Sequence, residues 1–191
     1  MNFIRTEISE VVICEPTIHG DDRGYFIETF RQDELDSFLG YTIDFIQDNE
    51  SKSAKGVLRG LHYQLAPAAQ TKLVRVIQGA VLDVVVDIRR GSPTFGKHVS
   101  VELNSTNKRQ LLVPRGFAHA FVVLEDDTVF AYKVDNYYSP EHDRGISFKD
   151  EKINIDWILN DENLKLSEKD QKQPNLNETD DLFDYEIDYY A

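Results

Sequence analysis

Lys72-Leu73-Val74-Arg75-Val76-Ile77-Gln78-Gly79-Ala80-Val81-Leu82-Asp83-Val84-Val85-Val86-Asp87-Ile88 is the stretch from which the fold of this chain is read. Two runs rich in β-branched residues flank a single glycine, which predicts strands over Lys72 to Gln78 and Ala80 to Ile88. No uninterrupted apolar run approaches the roughly 20 residues needed to cross a bilayer, the most apolar stretch being Gly79 to Val86, so membrane insertion is not expected. The same pattern extends outward from Val11 to Leu124, as short β-like runs separated by turn signals. The clearest further strands are Gly24 to Phe30, Leu58 to Gln64, Lys97 to Leu103, Gln110 to Val113, Ala118 to Leu124 and, just beyond that span, Thr128 to Val134. Glu125-Asp126-Asp127 reads as a hairpin turn, and Arg90-Gly91-Ser92-Pro93 as a longer one. Eight or so antiparallel strands suit an all-β jelly-roll sandwich or barrel with a few short peripheral helices. One helix is expected from Asp33 to Leu39, capping the sheet, with Leu35, Phe38 and Leu39 on one face and Gly40 as a left-handed stop.

Composition narrows the class of protein. With 191 residues, 41% of them apolar, the chain can bury one sizeable core, and a single domain over residues 1–173 is expected. Beyond it, Pro174 to Ala191 holds six acidic residues and no Lys or Arg, which reads as an accessory acidic tail. A partly ordered, solvated end is the plain reading. Its Phe183, Tyr185, Tyr189 and Tyr190 offer the alternative of folding back on the sandwich or on a partner subunit. The lone Cys14 excludes a disulfide framework and a Cys-based zinc site, and the start of the chain lacks the apolar stretch of a signal peptide, so a cytoplasmic protein is expected. A net charge of -13 argues against nonspecific nucleic-acid binding, though not against one small phosphate ligand held by clustered cations.

The chemistry concentrates at Leu58-Arg59-Gly60-Leu61-His62-Tyr63-Gln64. His62 can take and release protons near neutral pH, and Arg59 and Lys72 are suited to holding an anion beside it. A histidine that merely fills a half-buried strand is the plainer alternative. Arg59 and His62 differ by three positions, so an ideal strand would send them to opposite faces. Either Gly60 permits a bulge or Arg59 serves a site at a subunit boundary. Asp83, an acid inside an apolar strand, needs a buried partner.

Pro114-Arg115-Gly116-Phe117-Ala118-His119 resembles the second motif of cupins. Metal-dependent cupins add a His-x-His pair and an acidic ligand, where this chain has His62-Tyr63-Gln64, so neither a metal nor another cofactor is expected. With Gly56 to Gln64, Lys72 to Val76, Tyr138-Ser139-Pro140, Asp22 to Phe30 and Phe45 to Asn49 in this order, the chain from about Val11 to about Asp170 resembles the dTDP-4-dehydrorhamnose 3,5-epimerases.

That resemblance implies an isomerase acting on dTDP-4-dehydro-6-deoxy-D-glucose, whose C3 and C5 protons are acidified by the C4 ketone, to give dTDP-4-dehydro-L-rhamnose for cell-surface polysaccharide. It implies His62 as base, Asp170 as its carboxylate partner with Asp83 as rival, Lys72 at the enolate oxygen and Tyr132 as general acid. Arg23, Glu28, Gln47, Asn49, Arg59, His119, Asp143 and Lys169 match sugar-nucleotide contacts, and Tyr138 matches the ring that stacks on the base. At position 143 the family typically has glutamate, one methylene longer, so a water-bridged contact is foreseen there. A homodimer is a family expectation, with the β-rich N-terminal segment able to add strands to a partner's sheet. Other readings are a single-centre epimerase for another deoxysugar, a metal-dependent oxygenase of the same fold, and a sugar-nucleotide sensor without turnover.

Overall fold

The structure, a computed structural model, describes residues 1–190; Ala191, the last residue of the expected tail, lies outside them. In chain order the strands are β1 (Asn2–Arg5), β2 (Val12–Glu15), β3 (Ile18–Asp21), β4 (Gly24–Ile27), β5 (Gln47–Ser53), β6 (Leu58–Gln64), β7 (Lys72–Gln78), β8 (Ala80–Asp87), β9 (Arg89–Arg90), β10 (His98–Asn104), β11 (Gln110–Val113), β12 (Phe117–Val123), β13 (Thr128–Val134), β14 (Asp143–Gly145) and β15 (Phe183–Asp184). One helix, α1 (Gln32–Leu39), lies between β4 and β5. Short 3-10 turns at Asp161–Asn163, Asp170–Lys172 and Leu176–Glu178 punctuate the C-terminal segment.

Two antiparallel sheets face each other in a jelly roll. One runs β1-β2-β11-β7-β13-β5 and the other β10-β8-β12-β6-β14. Between them lie Val74, Val76 and Phe130 from the first sheet and Val81, Val85, Phe121 and Val123 from the second. The outer face of the first sheet is covered by α1, whose Leu35 packs with Leu73 and Leu112. Asp33 and Glu34 in its first turn complement the positive end of the helix dipole. The helix stops at Gly40 in the left-handed region, where the Gly40 N–H closes on the Asp36 carbonyl. The outer face of the second sheet is covered by the C-terminal segment, which brings Ile153, Trp157, Leu176 and Phe183 onto Leu82, Val84, Ala118 and Val122. Strands β8 and β12 are therefore covered on both faces, and every residue in them is buried. That coverage explains why they read as near-continuous apolar runs rather than as alternation.

Three expectations change. Glu125-Asp126-Asp127 is not a hairpin turn: β12 and β13 belong to different sheets, and the segment carries the chain across the sandwich. The strand expected over Gly24 to Phe30 ends at Ile27 and pairs only with β3, so this hairpin stands outside both sheets. Of the two readings of the tail, folding back is what is observed. Phe183 is 3% exposed and meets Tyr63 and Tyr189, β15 pairs in parallel with β9, and the Tyr63 hydroxyl donates to the Asp181 carbonyl.

A bulge in β6 sets the geometry of the pocket. His62 lies opposite His119 and Arg59 opposite Phe121, so β6 has Gly60 and Leu61 where β12 has only Ala120. Gly60 sits at φ 126, and a Cβ there would come within 2.4 Å of the Ala120 Cβ. Gly60→Ala should therefore destabilise the fold by about 2–4 kcal/mol, from combined backbone strain and overpacking, as measured by chemical denaturation.

Candidate active site

The bulge turns Arg59 and His62 toward one cavity. An inner chamber of about 160 Å³ is lined by Arg59, His62, Lys72, His119, Phe121, Phe130 and Tyr132, with Glu50 and Ser51 at its side. His62, Lys72 and Tyr132 also line an outer chamber of about 390 Å³, together with Gln47, Asn49, Gln64, Gln70, Tyr138, Asp143 and Lys169. Together the chambers fall within the roughly 300–1,000 Å³ usual for a small-ligand site. The chemical groups divide between the walls. His62 on β6 and His119 on β12 stand on one sheet; Lys72 on β7, Tyr132 on β13, and Gln47 and Asn49 on β5 stand on the other.

Each histidine is backed by an acid. His62 Nε2 lies 2.5 Å from Asp170 Oδ1, and Ser167 donates to Asp170 Oδ2 at 2.9 Å. Burial alone would push the Asp170 carboxyl up, but the hydrogen bond and charge of His62, the Ser167 hydroxyl and Lys169 outweigh it and hold Asp170 below its ordinary value. An ionised Asp170 only accepts, so His62 Nε2 carries the hydrogen, and in the neutral ring Nδ1 holds the lone pair. Asp83, the rival partner, belongs to His119: its two carboxylate oxygens lie 2.9 and 3.0 Å from His119 Nε2, and Asp83 is fully buried.

Burial pushes the Lys72 ammonium down to about 8, against the opposing pull of Asp83 and Asp143. The Lys72 ammonium has no hydrogen-bond or ion-pair partner among the described residues, so its charge is available to a ligand. Burial raises the Tyr132 phenol, only partly offset by Arg59, so it holds its proton at neutral pH. The Phe121 and Phe130 rings stack across the sandwich at 4.1 Å and close the floor of the inner chamber. In the outer chamber the Asp143 carboxylate receives direct bonds from the Tyr138 hydroxyl at 2.9 Å and from Lys169. Gln47 donates to Asn49 at 2.8 Å.

Arg23 and Glu28 are not brought to this cavity. Arg23 is exposed on the β3–β4 hairpin and pairs with Asp21, and Glu28 lies beside Arg31. Conversely, Phe121, Phe130, Ser51 and Gln70 line the chambers without having been singled out in the sequence. The period-two rule would have found the two phenylalanines, since each is two residues from a chosen one, His119 or Tyr132, on the same strand. Among the described residues no cluster of three or more His, Cys, Asp or Glu could hold a metal ion.

Comparison with known proteins agrees with this geometry. The family model described as dTDP-4-dehydrorhamnose 3,5-epimerase matches residues 5–178. The protein of that name from Escherichia coli K12 is 54% identical over 93% of this chain and 96% of its own length. A crystal structure of a dTDP-6-deoxy-D-glucose-3,5-epimerase from Legionella pneumophila, in complex with dTDP-4-keto-L-rhamnose, superposes with a TM-score of 0.93. It is 49% identical and covers 97% of this chain and 99% of that one. A 3'-monoepimerase from Streptomyces bikiniensis, in complex with dTDP-quinovose, shares the fold at a TM-score of 0.88 and 32% identity, covering 95% of this chain and 92% of that one. A jelly roll of this topology, in a chain so close to known epimerases, defines an isomerase of cupin type. The chain belongs to the dTDP-4-dehydrorhamnose 3,5-epimerase family.

NMR titration of the lysine amines should place Lys72 near 8, against about 10.4 for the exposed lysines. A value for Lys72 in the ordinary range would show that its amine is solvated.

Proposed function

We propose that this protein inverts C3 and C5 of dTDP-4-dehydro-6-deoxy-D-glucose, giving dTDP-4-dehydro-L-rhamnose, with His62 as base and Tyr132 as acid. The observation that carries this reading is that His62 and Tyr132 line one chamber from opposite sheets. Inversion needs a proton removed from one face of a ring and returned to the other. His62 Nδ1 takes the proton from the carbon beside the C4 ketone. The C–H electron pair becomes the enolate double bond, and negative charge moves to the C4 oxygen, where Lys72 holds it. Tyr132 then gives its phenolic proton to the same carbon from the other face. Transfer of the His62 proton to solvent and reprotonation of Tyr132 reset the pair for the second centre. Asp170 holds the His62 tautomer and stabilises the imidazolium formed on proton uptake.

Gln47, Asn49, Tyr138, Asp143 and Lys169 suit the nucleotide end of the substrate, while Arg59 and His119 act closer to the reacting ring. The arginine-to-phosphate chemistry suits Arg59. Arg23 and Glu28 serve the site of a second copy in a homodimer. Their hairpin supports this assignment, because Ile18 is 46%, Tyr25 59% and Phe26 69% exposed, and neither Arg23 nor Glu28 lines the chambers of its own chain. The enzyme acts in the cytoplasm, without metal or other cofactor.

Turnover in deuterated water should place label at both C3 and C5; label at one centre alone would make the protein a monoepimerase. His62→Ala and Tyr132→Phe should each slow exchange by about 10²- to 10⁴-fold while leaving dTDP binding intact. Sedimentation should give twice the 22.0 kDa mass of one chain, and Phe26→Asp should shift it toward the monomer.

A further inference from the structure

The family match ends at residue 178, yet the chain beyond it returns to the start of β7, the strand that carries Lys72. Three strand ends meet at one corner beside Lys72. Strand β7 begins there, preceded by Thr71; β11 ends at Val113, followed by Pro114 and Arg115; and β13 ends at Val134, followed by Asp135. Lys72 is paired with Val113 on one side and with Val134 on the other. The Tyr190 hydroxyl lies 2.7 Å from the Thr71 hydroxyl and accepts the Arg115 backbone N–H at 3.1 Å.

Further contacts tie the same corner. The Arg115 guanidinium donates to the Tyr189 carbonyl at 2.6 Å, reaches Asp135 at 3.1 Å and lies over the Tyr190 ring. The other Asp135 oxygen takes the Thr71 backbone N–H at 2.6 Å. Thr71 is fully buried, the Asp135 side chain is 4% exposed, and Tyr41 packs on the Tyr190 ring. Burial also pushes the Tyr190 phenol well up, so it keeps its hydrogen.

We propose that Tyr190 is a positioning residue for the reaction: through Thr71, Arg115 and Asp135 it fixes the start of β7 and so the place of the Lys72 ammonium in the chamber. Among the described residues the Lys72 ammonium has no polar side-chain partner to hold it, so its position follows from its backbone and packing. The inference rests on Lys72 serving the enolate oxygen.

Tyr190→Phe removes the hydroxyl and keeps the ring against Arg115 and Tyr41. Thr71→Val removes the other partner with little change of shape, and carries the same test if Tyr190→Phe does not fold. Each should lower kcat for deuterium exchange about tenfold, with KM and dTDP affinity unchanged within about twofold. The double variant should be no slower than Tyr190→Phe alone, because that change already removes the one hydrogen bond that Thr71→Val deletes. In a Lys72→Gln background neither should slow exchange further.

If Lys72→Gln retains the full kcat, the role given to Lys72 fails and the inference falls with it. If Lys72→Gln is slow while Tyr190→Phe and Thr71→Val keep full kcat, only the role of Tyr190 is overturned. An equal further loss from Tyr190→Phe in the Lys72→Gln background overturns it too, since the contact would then act on general stability.

Discussion

Strand β6 has two residues where β12 has one, and the pocket depends on that difference. In a regular strand the side chains of Arg59 and His62 would leave from opposite faces, one toward the cavity and one into the apolar layer behind it. The extra residue rotates the strand between them, so both line the inner chamber. The bulge is possible because residue 60 has no side chain: its backbone lies too close to Ala120 for a Cβ. A packing constraint between neighbouring strands thus decides which charges meet in the cavity.

The sandwich then separates the chemistry by wall. Behind each histidine stands a buried carboxylate, Asp170 for His62 and Asp83 for His119, supplied from different places. Asp83 comes from within the same sheet, two positions along from the β8 residue that faces His119. Asp170 comes from the C-terminal segment. The facing wall carries Lys72 and Tyr132, neither bonded to an acid among the described residues. Burial favours the neutral form of both, moving the lysine's pKa down and the phenol's up.

Much of the fold was legible because its central strands are bounded by turn residues and filled with β-branched and aromatic side chains. Leu58–Gln64, Lys72–Gln78, Gln110–Val113 and Thr128–Val134 match the sequence reading to the residue. Strand β5 was not legible. Its sequence Gln-Asp-Asn-Glu-Ser-Lys-Ser lacks every strand preference, because it lies at a sheet edge and Gln47 and Asn49 face the ligand cavity rather than a core. The choice between Asp83 and Asp170 was also closed to local reading, since both are acids and only the assembled sheet assigns Asp83 to His119. The tail looked solvated because it holds no cations. The cations it meets, Arg90, Arg115 and Arg144, are supplied by the sandwich.

Asp170 reaches His62 across 108 residues of chain, on a 3-10 turn that belongs to neither sheet. The stability of the His62–Asp170 pair is therefore that of the C-terminal segment and its apolar seal over the second sheet, not that of the jelly roll. Segments of this kind open at lower free energy than the strands they cover. Under rising denaturant the molecule can then lose the orientation of its histidine while both sheets remain paired, which makes catalysis a more sensitive gauge of damage than strand content.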